Sequence, residues 1–153
     1  MNVYLASSEA TEDFGCWLGR VLAATSQGTV FTFEGELGAG KTALIRAILC
    51  GLGYSGIVVS PSYTLVESYE LHDRRAHHLD LYRISDPSEL EFLGVRELPG
   101  QRDFMFVEWP EQGAGFLPSV DVAVAMAYQS VGRAMTLKAR SRTGQAILDM
   151  LAD

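Results

Sequence analysis

Gly35-Glu-Leu-Gly-Ala-Gly-Lys41-Thr42 fits the pattern G-x-x-x-x-G-K-[ST] at every fixed position. Each fixed residue has a chemical reason. The glycines let the backbone curl with its N–H groups inward around an anion, the lysine reaches the β- and γ-phosphates, and the threonine hydroxyl faces Mg²⁺. The flanks agree with this reading. Residues 29–33, Thr-Val-Phe-Thr-Phe, read as a strand, and residues 43–52 read as a helix whose N-terminus faces the phosphates. An incidental glycine-rich turn would not need strand, loop and helix in that order. The stretch implies a bound nucleoside triphosphate, with Gly35, Leu37, Gly38, Ala39, Gly40, Lys41 and Thr42 as its contacts.

Composition narrows the remainder. A chain of 153 residues, 48% hydrophobic and 20% charged, fits one soluble globular unit over 1–153 with a sizeable core. No apolar run reaches the roughly 20 residues of a membrane span, and the first residues lack a signal-peptide pattern, so a cytoplasmic location is expected. Cys16 and Cys50 are too few for a disulfide framework and read as buried, reduced thiols inside helices. The net charge is −7 and only two lysines occur, Lys41 and Lys138. A broad nucleic-acid groove needs a basic surface, so the balance points to a nucleotide and to protein partners.

Along the chain, Ser7 or Ser8 can cap a first helix carrying Phe14, Trp17, Leu18, Val21 and Leu22 on one face. Gly51 and Gly53 close the helix after the loop. Strands are expected over 64–71 and 76–82, separated by the polar turn 72–75, with a short helix over 87–93. Residues 104–108, Phe-Met-Phe-Val-Glu, read as a buried strand. Residues 120–128 and 134–139 read as a hairpin, and Thr143 as the cap of a last helix with Ile147, Leu148 and Leu151. Interleaved strands and helices followed by adjoining strands predict an α/β fold of the P-loop NTPase type. It has a parallel central sheet, antiparallel flanking strands and helices on both faces.

A phosphate loop alone hydrolyses nothing. Mg²⁺ also needs a carboxylate opposite the loop hydroxyl, at the end of a hydrophobic strand. Glu108 ends the cleaner candidate strand, and Asp80 in His78-Leu-Asp80-Leu-Tyr82 ends a more alternating one. One carboxylate can hold the metal while the other orients the attacking water or a metal-bound water. Ser60-Pro-Ser-Tyr-Thr64 reads either as a γ-phosphate sensor or as a plain proline-directed turn. His77 and His78 project to opposite faces of a strand, which argues against a joint metal site and for structural or solvent-exposed roles. Tyr4, Tyr54, Tyr69 and Tyr128 are assigned to packing.

Taken together, five segments resemble the TsaE family, formerly the YjeE family. They are the phosphate loop, Ser60-Pro-Ser-Tyr-Thr-Leu-Val66, His78-Leu-Asp-Leu-Tyr-Arg83, Asp86-Pro-Ser-Glu-Leu-Glu-Phe-Leu-Gly94 and Val107-Glu-Trp-Pro110. The family consists of bacterial ATPases of the pathway that makes threonylcarbamoyladenosine in tRNA. The resemblance implies ATP/ADP and Mg²⁺ as cofactors, and assembly with TsaD and TsaB, with tRNA reached only through that complex. It also implies an isolated chain that is monomeric and weakly active. Carried over by position, Thr42 and Glu108 bind Mg²⁺, Lys41 and Asp80 serve hydrolysis, and Ser8, Thr11 and Arg133 surround the nucleotide. Where the family commonly reads S-P-T, this chain has Ser60-Pro61-Ser62, which keeps the hydroxyl and drops the methyl.

Two rivals from other classes remain at this stage. A small P-loop kinase would need an acceptor pocket and an arginine-bearing lid, whereas Arg74 and Arg75 occupy only a short turn. A nucleotide-dependent binding switch would show the same loop with negligible phosphate release.

Overall fold

The computed structural model describes residues 1–153. Its centre follows from two strands dominated by aromatic, aliphatic and threonine side chains. Strand β2 (Thr29–Glu34) and strand β5 (Phe104–Glu108) are buried along nearly their whole length. Strands covered on both faces by other elements read as continuous apolar runs, as parallel sheets do. The two pair in parallel, Phe31 opposite Phe106 and Phe33 opposite Glu108. Strand β4 (Arg75–Asp80) lies parallel on the far side of β5, with Asp80 opposite Glu108. Strand β6 (Val122–Tyr128) lies parallel on the far side of β2.

The additions are antiparallel. Strand β3 (Val66–Glu70) pairs with β4, strand β7 (Arg133–Ala139) pairs with β6, and strand β1 (Asn2–Leu5) pairs with β7. The sheet therefore runs β1-β7-β6-β2-β5-β4-β3. Strand β1 was not expected from the sequence. Four residues are too short for an alternation pattern, and their pairing depends on a partner more than 125 positions away.

One face of the sheet carries Phe31, Phe33, Phe104 and Phe106 and is covered by the three long helices. These are α1 (Ser8–Ala23), α2 (Lys41–Gly51) and α4 (Arg142–Ala152). Ser7 caps α1, its side chain accepting from the Ala10 amide at 3.1 Å. Helices α1 and α2 approach at backbone distance through glycine: a Cβ on Gly19 would sit 2.7 Å from Gly51 Cα. Trp17 stands at the margin of this packing, 39% exposed. The opposite face carries Val30, Leu79, Met105 and Val107. It is covered only by the single turn α3 (Glu89–Phe92), a 3₁₀ turn (Pro110–Gly113) and the segments beside them. No helix is long and apolar enough to cross a membrane.

Several local expectations are corrected. Cys16 and Cys50 are free thiols, but Cys16 is half-buried and Cys50 exposed, because they lie at the rim of the α1–α2 contact. Ser141, not Thr143, caps α4: its Oγ accepts from the Gly144 amide at 3.0 Å and donates to Asp121 Oδ1 at 2.5 Å. Tyr54 and Tyr69 pack edge to face at 4.8 Å. Tyr4 and Tyr128 are exposed instead, their hydroxyls donating to Val131 O and Leu37 O.

Candidate functional site

The parallel order places the C-terminal ends of β2, β5 and β4 side by side, and the loop 35–42 leaves the first of them. Gly35, Gly38 and Gly40 have φ of 146°, 79° and 104°, values that a side chain at these positions would strain. Gly40 is also the residue before α2 and offers no side-chain cap. The first-turn N–H groups of α2 are thereby left for an anion. Arg133, at the start of β7, closes on the same point: a Cβ on Gly40 would sit 3.1 Å from Arg133 Nε. That Nε is buried and has no partner within the protein.

Lys41 is only 4% exposed. Its Nζ donates to Gly35 O at 2.6 Å and Glu36 O at 2.9 Å, and lies 4.2 Å from the centre of the Trp109 ring. Burial pushes its ammonium below the ordinary 10.5, against the opposing pull of Glu108, Asp80 and Glu111. Thr42 Oγ1 lies 2.8 Å and 3.0 Å from the two oxygens of Glu108. Asp80, opposite Glu108 in the sheet, accepts from the Tyr82 amide at 3.1 Å and from Ser62 Oγ at 3.4 Å. Ser60 and Ser62 are 2.9 Å apart through their hydroxyls, so the serine-rich loop reaches the site. Trp109 takes a left-handed backbone, φ 57° and ψ 51°, directly after Glu108. A non-glycine residue there carries about 1–3 kcal/mol of strain, and its ring packs at a tilt against Tyr82 with centroids 4.9 Å apart.

Lys41, Thr42, Asp80, Glu108, Trp109 and Arg133 line one cleft of about 380 Å³, together with Leu37, Gly38, Gly40, Ser60 and Ser62. A larger groove of about 1120 Å³ is lined by Gly35 and Glu36 and shares Leu37 and Trp109 with the cleft. It contains neither the lysine nor either carboxylate, so the chemistry belongs to the smaller cleft. Ala39 is fully buried in the first core. Ser8 and Thr11 are not brought into the cleft lining. Ser8 is exposed on the first turn of α1, and the buried Thr11 hydroxyl donates to Ser7 O at 3.1 Å.

The two histidines do face opposite ways. His77 Nδ1 lies 2.8 Å from Ser68 Oγ, and its Nε2 lies 3.4 Å from Asp103. His78 is completely buried with Nε2 2.7 Å from Glu108 Oε1. The sequence reading missed this contact, because it joins strands 30 positions apart.

The donor set fits a small, hard dication. Two buried carboxylates and a hydroxyl meet beside a phosphate loop, all oxygen. No group of three or more histidine, cysteine or acidic side chains gathers to form a complete metal cage. Mg²⁺ is typically held by one or two carboxylates while phosphates and water complete its shell.

A parallel sheet, a glycine loop entering a helix and a strand-end carboxylate facing the loop hydroxyl define a P-loop nucleotide-binding fold. The comparisons agree and narrow it. The family model described as Threonylcarbamoyl adenosine biosynthesis protein TsaE matches residues 5–135, and the chain belongs to that family. It is 40% identical over 129 residues to the tRNA threonylcarbamoyladenosine biosynthesis protein TsaE of Haemophilus influenzae, covering 84% of this chain and 82% of the relative. The protein of that name from Treponema pallidum is 31% identical, with 82% and 90% covered. Among solved structures, Bacillus subtilis YdiB superposes with a TM-score of 0.78 over 99% of this chain and 93% of that one, at 24% identity.

Proposed function

We propose that this chain is the ATP-binding and ATP-hydrolysing subunit of the machinery that forms threonylcarbamoyladenosine in tRNA. It acts with TsaD and TsaB in the cytoplasm and supports their repeated turnover. The observation that carries this reading is the meeting of Thr42 with Glu108, 2.8 Å apart, with Asp80 beside them and Lys41 at the loop.

Each residue then has a task. Lys41 exchanges its loop-carbonyl contacts for the β- and γ-phosphate oxygens of ATP, and the loop amides and Arg133 hold the remainder. Thr42 and Glu108 would hold Mg²⁺, which when bound neutralises charge across the β- and γ-phosphates. Asp80, steadied by the Tyr82 amide and Ser62, orients the attacking water. Water attacks the γ-phosphorus, the bond to the bridging oxygen breaks, and ADP and phosphate leave. Ser8 and Thr11 stand outside the cleft lining and are given no nucleotide contact in this reading.

Phosphate release tests it, measured with Mg²⁺ and with EDTA, alone and with TsaD and TsaB added. Release is expected to be slow alone, to rise with both partners and to vanish in EDTA. Glu108→Gln should weaken the Mg²⁺ dependence, and Asp80→Asn should lower turnover while leaving Mg²⁺ affinity in place. The reverse pattern would exchange their roles. No release in any combination would leave a binding switch and overturn the hydrolytic reading.

A further inference from the structure

His78 has no task in the reading above, yet it is the least exposed polar residue of the protein. In the sheet it pairs across with Phe106, one pleat below the Asp80–Glu108 pair, so its ring stands between the aromatic core and the two carboxylates. A carboxylate oxygen accepts and does not donate. The 2.7 Å contact therefore fixes the ring in the tautomer with its proton on Nε2. The other nitrogen, Nδ1, is buried and has no partner. An apolar residue of similar volume would fill the same space without stranding that atom. Packing alone is thus a poor account of an imidazole here.

We propose that His78 is a positioning residue that fixes Glu108 for the metal, a role that rests on the reading of Glu108 as a Mg²⁺ ligand. Glu108 is 3% exposed, so water cannot set its orientation. Thr42 has one hydroxyl proton and stands at similar distances from both carboxylate oxygens, which leaves the carboxylate plane underdetermined. The Nε2–H of His78 breaks that symmetry. It claims Oε1 from the core side and turns the remaining lone pairs toward the cleft. Hydrogen bonds to metal-ligating carboxylates commonly tune affinity in this way.

The probe is Mn²⁺, followed by electron paramagnetic resonance in the presence of ADP, with ADP affinity in EDTA measured in parallel. His78→Phe should weaken Mn²⁺ binding roughly 10- to 100-fold and leave ADP affinity in EDTA unchanged. His78→Gln, whose amide nitrogen reaches the position of Nε2, should recover most of the loss. His78→Asn, with the same amide one bond shorter, should not. If His78→Phe fails to fold, the contrast between Gln and Asn decides alone. Parental Mn²⁺ affinity in His78→Phe and His78→Asn overturns the inference, as does equal loss in Gln and Asn or a matching loss of ADP binding in EDTA. Glu108→Gln separates the two levels. If it binds Mn²⁺ like the parent, the metal reading fails and takes this inference with it. If it loses Mn²⁺ while the His78 variants do not, only the inference falls.

Discussion

Lys41 shows how a single side chain reconciles burial with charge. Its side chain is buried, and its ammonium is answered by the Trp109 ring, two loop carbonyls and nearby carboxylates. Phosphate oxygens offer a stronger, fully charged acceptor in the same place. Lys41→Ala should therefore weaken ATP binding by about 1.5–3 kcal/mol, roughly ten- to a hundredfold. Isothermal titration checks this, and an unchanged affinity would remove the lysine from the phosphate site. At this scale the loop was legible from the sequence because the residues that define it are eight consecutive positions. Glu108 was legible because it ends an unbroken apolar strand. The fixing of Glu108 by His78 was not, since it depends on which strands lie side by side.

Among the elements, the α1–α2 seam sets two opposing terms against each other. Alanine is worth about 1 kcal/mol over glycine inside a helix. At Gly19, however, the added Cβ would press on Gly51 Cα at 2.7 Å, against backbone that cannot rotate away. Overpacking of that kind costs about 1–3 kcal/mol, so Gly19→Ala should lower the urea midpoint, and a raised midpoint would refute the close seam. The turn before β5 makes a separate prediction. Burial raises the Asp103 carboxyl, but the Arg75 and Gly100 amides at 2.9 and 2.8 Å and the His77 ring outweigh it and hold it below 3.8. A depressed folded value gives stability that is complete above 3.8 and lost as pH falls through the folded value. Asp103→Asn should be less stable than the parent at about pH 6, and the gap should close as pH falls below 3.8 in urea titrations. Strand β5 was read from the sequence to the residue, since both of its faces are apolar. The cap of α4 was read two residues late, because Ser141 and Thr143 are both competent caps and only the contact with Asp121 distinguishes them.

For the molecule as a whole, charge decides what it can hold. A net charge of −7 with ten arginines scattered along the chain opposes a grip on a polyanion. The isolated chain should bind tRNA only weakly at physiological salt and should join it through TsaD and TsaB. Submicromolar, steeply salt-dependent binding by the chain alone in a filter assay would overturn that route. The architecture was legible as a class because interleaved strands and helices have few solutions, whereas the strand order was not, since the pairs β1–β7, β6–β2 and β2–β5 join strands that are not neighbours in the chain. That order also governs how the protein comes into being. Strand β1 is made before the other strands of the sheet, yet its only partner is β7, the last of them. Strand β2 likewise waits for β5, so Thr42 meets Glu108 only after 66 further residues have been added. Non-local pairing of this kind slows folding, because loop entropy is lost before contacts repay it. The growing chain therefore carries its phosphate loop long before the loop has a metal partner, and nucleotide binding should begin only once synthesis has passed β5.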